Sequence, residues 1–355
     1  MQAIDSRIIS FLRFPMIVGI VLIHSGVDID GISSYPLYEY VVIRGIIGTI
    51  TRVCVPLFFL ISGYLFFCNI KRFDRLAYVA KLKKRGRSLL EPYLFYNALA
   101  ICLFALMGFV RPELQSGVVP PLSQWTPALF MSLFWDYGNN LPMVPQFWFV
   151  RNLMLIVLLS PVLYWLIKKT KSTIALLLGT LWGGNIWEFG IPGTMGLFFF
   201  TIGAVASINQ LSIFTIAKKM KFCGWVYPLL AAIDIMTKGE VFNIYIHNVG
   251  ILSGMVLVVY GLGKWLERKD SAKPNEFLLA STFFVFACHS PYNGKLVHVM
   301  LCVLPSLSSY KLLADIQCIL YYFLTATAWI LILLSVFAMI KKMSPKTAIF
   351  LSGGR

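Results

Sequence analysis

Phe11-Leu-Arg13-Phe-Pro15-Met-Ile-Val-Gly-Ile-Val-Leu-Ile-His24-Ser-Gly-Val27 is the stretch on which the reading of this chain turns. It is long and apolar enough to lie across the hydrocarbon of a bilayer, yet it carries an arginine and a histidine. An arginine at the centre of a spanning helix costs about 2.5–3.5 kcal/mol, and such residues usually face an interior cavity and serve function. Three helical turns separate the two side chains, so they project from nearly the same face, roughly 16 Å apart along the axis. One face of the first helix therefore presents a permanent cation and, deeper in, a side chain able to act as a base.

The rest of the chain has the same character. Hydrophobic residues make up 58% of the 355 positions and charged residues 13%, a balance that cannot clothe a water-soluble globule in polar surface. Ten apolar runs approach spanning length, near 9–28, 42–69, 88–110, 146–167, 173–190, 193–210, 222–237, 246–265, 278–304 and 315–340. Thr126 to Trp135 is apolar but too short to cross, and reads as a re-entrant or surface helix in an outer loop.

Lysine and arginine are retained in short cytoplasmic connections. Alternate connections hold Lys71, Arg72, Arg75, Lys81, Lys83, Lys84, Arg85 and Arg87, then Lys168, Lys169 and Lys171, then Lys218, Lys219 and Lys221. Lys264, Arg268, Lys269 and Lys273 follow, then Lys341, Lys342, Lys346 and Arg355, while the intervening loops hold almost none. The expected architecture is all-α: one integral-membrane domain over 1–355, a polytopic bundle of about ten spans with both termini cytoplasmic. The net charge of +16 mostly records that topology, and no nucleic-acid motif accompanies it.

The first run is followed by His-Ser-Gly-Val-Asp-Ile-Asp, without a small-residue cleavage pattern, and is read as a retained span. Seven cysteines, mostly inside apolar runs, form neither a zinc-ligand spacing nor a disulfide framework. No repeat, Walker loop or dinucleotide fingerprint is present. Pro56, Pro92, Pro161 and Gly63 interrupt or begin helices and are expected to open space in the bundle interior.

Several motifs in sequence resemble the acyltransferase-3 family of integral-membrane O-acyltransferases. They are the Arg13 to His24 pair, Arg52-Val-Cys-Val-Pro56-Leu-Phe-Phe-Leu-Ile-Ser62-Gly63-Tyr64, and Lys83-Lys84-Arg85-Gly-Arg87-Ser-Leu-Leu-Glu-Pro92-Tyr93. Phe147-Trp148-Phe149-Val150-Arg151, Phe198-Phe-Phe-Thr-Ile-Gly203 and Phe283-Phe-Val-Phe-Ala-Cys-His289 follow in the same order, so the resemblance covers nearly the whole chain. It implies transfer of an acyl group, most often acetyl, from cytoplasmic acyl-coenzyme A to a hydroxyl of a sugar or cell-surface glycan, which is free or lipid-linked. It also implies an inner (plasma) membrane location among membrane lipids. Acyl-coenzyme A is then a donor substrate, and no bound cofactor or metal is called for.

The residues fit that chemistry. A hydroxyl needs a base near neutral pH, and histidine is the side chain with the nearest unperturbed pKa, which makes His24 the candidate general base, with Arg13 on the same helical face. Attack by the imidazole itself, giving an acyl-histidine, is the alternative. Coenzyme A phosphates require cations on the cytoplasmic side, and Lys84 and Arg87 stand three apart on one helical face. The resemblance places an arginine pair at that spacing, so Lys84 is a departure, and Arg85 is the candidate to stand in for it. Arg52 and Arg151, near the outer ends of the second and fourth runs, are candidates for holding the acceptor or an oxyanion, with Trp148 offering a stacking face. Snorkelling arginines and an interfacial tryptophan are the plainer readings. His289, inside the ninth run, is placed to assist His24 or to contact the acceptor, and Glu188 and Asp315 are the carboxylates best placed to orient a histidine. His247 and His298 are assigned no role. The rival function is a transporter or flippase of a polysaccharide or lipid-linked polar substrate, in which Arg13, His24 and Arg52 line a path.

Overall fold

The structure, a computed structural model, describes residues 2–26, 35–70, 73–110, 124–136, 141–290 and 310–354. Lys71, Arg72, His298 and the part of the ninth apolar run beyond Ser290 lie outside the described residues. Every regular element among the described residues is helical. Helix α1 (Ala3–Ile23) is followed by a π-helical segment, Glu39–Ile47, and then α2 (Cys54–Phe67). Helix α3 (Arg75–Arg85) passes through a π-helical turn, Gly86–Leu90, into α4 (Glu91–Val110). The next helices are α5 (Pro127–Trp135), α6 (Trp148–Leu158), α7 (Ser160–Thr170), α8 (Thr173–Gly183), α9 (Thr194–Ile208) and α10 (Ile213–Lys219). The last five are α11 (Tyr227–Met236), α12 (Asn243–Arg268), α13 (Glu276–Cys288), α14 (Lys311–Met343) and α15 (Pro345–Leu351).

Local chemistry sets many of these boundaries. Asp74, Thr126, Ser212, Asn275 and Ser344 each accept a hydrogen bond from a backbone N–H of the turn they open, relieving a donor that the helix cannot satisfy. Pro161 lies at the start of α7, where its missing N–H costs nothing to α7 but ends α6, and the two axes meet at 61°. The short apolar stretch expected on the surface is α5, nine residues long.

Five helical stretches are long and apolar enough to cross a membrane: Ala3–Ile23, Pro36–Phe67, Arg75–Leu106, Asn243–Arg268 and Lys311–Met343. Counting the bent pairs α6 with α7 and α9 with α10 as spans brings the number to seven. This is a multi-pass membrane architecture, with five to seven stretches of spanning length and composition among the described residues. Each of the ten apolar runs contains a helix, yet α8 and α13, at about 17 and 20 Å, are shorter than a hydrocarbon core of about 30 Å.

Polar contacts sort the connections to two ends. At one end Arg7 pairs with Asp270 at 2.7 Å, bringing the start of α1 to the segment after α12. Beside it the buried Asp5 carboxylate accepts hydrogen bonds from the hydroxyls of Tyr64 (2.9 Å) and Ser212 (2.8 Å) and from the Phe214 N–H (3.1 Å). At the other end the buried Asp234 carboxylate accepts from Thr49 (2.7 Å) and Asn243 (2.9 Å) and pairs with Lys238 (2.8 Å) and with His247 (3.0 Å). Both carboxylates are fully engaged and act as staples between helix ends.

Helices α2 and α9 approach closely because each offers a glycine to the other's backbone. A methyl group built on Gly63 would overlap the Phe200 carbonyl, and one built on Gly203 would overlap that of Leu60. Small residues at such contacts let apolar helices pack without a hydrophobic driving force. The glycines of two of the motifs are thus packing devices that set the frame on which the site is hung.

Gly203→Ala is therefore expected to cost about 3 kcal/mol or more through overpacking. Gly261→Ala, with nothing within reach of the added methyl, should be neutral or slightly stabilising. Thermal unfolding of the two variants in detergent, followed by size-exclusion profile, checks the contrast.

Candidate active site

The site is built on the stripe of α1 that holds Arg13, Ile17, Ile20 and His24, spaced at successive helical turns. Ile17 and Ile20 are buried and line a cavity of about 60 Å³, room for a few waters, between the arginine and the histidine. The facing walls come from Ser62 of α2, Phe149 and Leu153 of α6, Phe286 of α13, and Arg85. The one-face relation expected of Arg13 and His24 is present, and the face borders an interior space.

Arg85 supplies the cation in the cavity wall, and Arg13 lies within electrostatic range of it. Lys84 and Arg87 are exposed instead. The reason is local: the π-helical turn that begins at Gly86 widens the repeat to i→i+5, so residues three apart no longer stack on one face. Of the three donor candidates Arg85 borders the cavity, and Lys84 and Arg87 lie outside its lining.

At the end of α1 stand two imidazoles. His24 ends α1 and is exposed, and the Tyr322 hydroxyl donates to the adjacent Leu22 carbonyl (2.9 Å), fixing the helix terminus. His289 ends α13 and is wholly buried, its ring centroid 5.2 Å from that of His24 at an interplanar angle of 44°. Phe286, which lines the cavity, also packs on the His289 ring at 6.0 Å, so one side chain borders both the cavity and the pair.

His289 is held from several sides. Its Nδ1 lies 2.7 Å from the Phe286 carbonyl oxygen. Trp329 donates its indole N–H to the His289 carbonyl (3.0 Å). Gln146 donates to the carbonyls of Ala287 (2.9 Å) and Ser290 (3.1 Å) on either side. Among the described residues, His289 Nε2 has no hydrogen-bond partner.

The remaining candidates occupy other surroundings. Arg52 is exposed, donates from Nε to the Ile47 carbonyl (2.9 Å) and lies within electrostatic range of His24. Trp148 is half-buried among the rings of Phe59 and Phe149, each at 6.4 Å, inside the aromatic packing between α2 and α6. Arg151 is 1% exposed; it donates to the Trp135 carbonyl at the end of α5 and to Asn152 Oδ1 (3.2 Å), and lies over the Trp135 ring at 5.6 Å. A cation at a helix C-terminus satisfies carbonyls the helix leaves open, so Arg151 docks α5. Glu188 accepts from the Thr194 N–H (2.8 Å) and Asp315 from the Tyr38 N–H (3.1 Å), so neither orients a histidine among the described residues. Gln146 and Trp329, which hold His289, carry no motif signal and come from far along the chain.

Residues 7–341 match the acyltransferase domain family Acyl_transf_3. A curated relative, the succinoglycan biosynthesis protein ExoH of Rhizobium meliloti (strain 1021), is 29% identical over 227 residues, which cover 60% of this chain and 57% of the relative. The chain thus spans little more than half the length of that relative. No solved structure matches the chain.

Removing Arg151 would leave the Trp135 carbonyl and Asn152 without their buried donor, a loss of about 1–3 kcal/mol. Arg151→Ala is expected to expose the α5 segment, seen as faster limited proteolysis within residues 124–136 at unchanged cleavage elsewhere.

Proposed function

The chain belongs to the acyltransferase-3 family, and on that premise we propose that it is a membrane O-acyltransferase. It moves an acyl group, acetyl in the simplest case, from cytoplasmic acyl-coenzyme A to a hydroxyl of a sugar or cell-surface glycan. The observation that carries this reading is the α1 stripe from Arg13 to His24: its Ile17 and Ile20 border a cavity with Arg85 in the wall, and its end carries His24 beside His289. Arg13 and Arg85 suit the phosphates of coenzyme A, which calls for fixed positive charge and, where arginine is used, bidentate hydrogen bonds. The roughly 16 Å between Arg13 and His24 suits the long thioester arm that follows those phosphates. The name of the curated relative supports a polysaccharide acceptor.

His24 is the general base. It takes the proton of the acceptor hydroxyl as the oxygen attacks the thioester carbonyl, the tetrahedral intermediate loses the coenzyme A thiolate, and the thiolate takes the proton from His24. The topology that serves this reaction has ten spans and both termini on the cytoplasmic side. It puts the staple of Arg7, Asp5, Ser212 and Asp270 with the basic connections at that face. The plasma (inner) membrane is the location that gives access to both substrates.

Membranes carrying the protein should transfer label from radiolabelled acetyl-coenzyme A to extracted envelope glycan, and His24→Ala at normal expression should abolish it. Label transferred equally by both proteins would sink His24 as the base, and no transfer by the wild type above an empty-vector control would count against the transferase. Arg85→Ala is expected to raise the KM for acetyl-coenzyme A about tenfold with a smaller change in kcat, the mark of lost donor binding. Arg87→Ala, on the exposed side, should change KM by less than about twofold.

A further inference from the structure

We propose that His289 is the positioning partner of His24: its Nε2 lone pair receives the N–H that His24 turns away from the acceptor hydroxyl. The inference rests on the transferase reading in which His24 is the base. It starts from the hydrogen bond at 2.7 Å between His289 Nδ1 and the Phe286 carbonyl oxygen. A carbonyl only accepts, so Nδ1 carries the hydrogen, and in a neutral ring Nε2 is then a bare acceptor. That acceptor is buried and without a hydrogen-bond partner among the described residues. A buried polar atom left open is unfavourable and persists where the surroundings hold it for a purpose. Here Phe286 fixes the ring, while Trp329 and Gln146 fix the backbone that carries it.

The ring that faces His289 is that of His24, 5.2 Å away between centroids. The two differ in accessibility, His24 being exposed and His289 wholly buried. A substrate therefore meets His24, and His289 stands behind it. In the proposed arrangement the N–H to Nε2 contact closes when substrate binds, as catalytic hydrogen bonds commonly tighten only then. The contact sets which His24 nitrogen keeps the lone pair for the hydroxyl. Once His24 has taken the proton, the same contact becomes charge-assisted and stabilises the imidazolium. That help is needed, because Arg52 is a cation within electrostatic range of His24. The arrangement does with a neutral imidazole what an aspartate does in a hydrolytic triad.

The test uses the full chain in membranes, with radiolabelled acetyl-coenzyme A as the probe and wild type alongside. His289→Phe is expected to lower kcat about 30- to 100-fold with KM for acetyl-coenzyme A changed less than about twofold. The acid limb of its pH–rate profile should move to lower pH, because an imidazolium that has lost its acceptor gives up its proton more readily. His289→Gln, which offers an amide oxygen, should recover most of the rate. A His289→Phe enzyme with wild-type kcat and an unmoved acid limb would overturn the proposal, whereas a wild type that transfers no label would instead overturn the transferase reading. A measurement independent of any variant's folding is nitrogen NMR of wild-type protein labelled in histidine. His289 protonated on Nδ1 and accepting at Nε2 agrees with the proposal, and protonation on Nε2 overturns it.

Discussion

An arginine in the middle of an apolar helix demands a polar or hollow space at its side, and the architecture around α1 follows from that demand. Arg13 lies halfway along α1, and the three turns that separate it from His24 carry isoleucines, so the space beside them is narrow and mostly apolar. The charge is kept near Arg85, at one end, and the titratable rings are kept at the other. A molecule with an anionic head and a long, weakly polar arm satisfies both ends at once. The proposed donor has that shape.

The frame that keeps this space open is made elsewhere. Gly63 and Gly203 allow α2 and α9 to approach backbone to backbone, and the aromatic rings of Phe59, Phe149 and Phe286 fill the volume between α2, α6 and α13. Asp5 at one end and Asp234 at the other tie together helix termini distant in sequence. Both are acids that sit buried only because each accepts several hydrogen bonds. The motif glycines and the staples build the frame, and the α1 stripe, Arg85 and the two histidines lie within it.

Much of this was legible from the residues alone, and the failures have identifiable causes. The shared face of Arg13 and His24 follows from helical periodicity, and the shortness of α5 from counting residues. The π-helical turn at Gly86–Leu90, which α-helical spacing does not foresee, lies beside Arg85, the donor candidate that borders the cavity. The ten apolar runs correspond to five to seven stretches of spanning length among the described residues, because Pro161 divides one run and α8 stops at Gly183. Arg151, chosen for its cost in an apolar run, meets that cost by docking α5. Gln146 and Trp329 were invisible because their role exists only once α13 has been packed against partners from far along the chain.

The central claim is that the acyl donor reaches His24 along the Arg13 to His24 face of α1, the cavity of about 60 Å³ beside Ile17 and Ile20 widening as the thioester arm enters. The most direct measurement is label transfer from acetyl-coenzyme A by Ile17→Trp, which fills that cavity, beside Leu331→Trp on the exposed side of α14. The account predicts that Ile17→Trp, expressed and folded like wild type, loses about 100-fold in transfer while Leu331→Trp retains it. Undiminished transfer by Ile17→Trp would contradict the account, because the donor would then be reaching the histidine by another route.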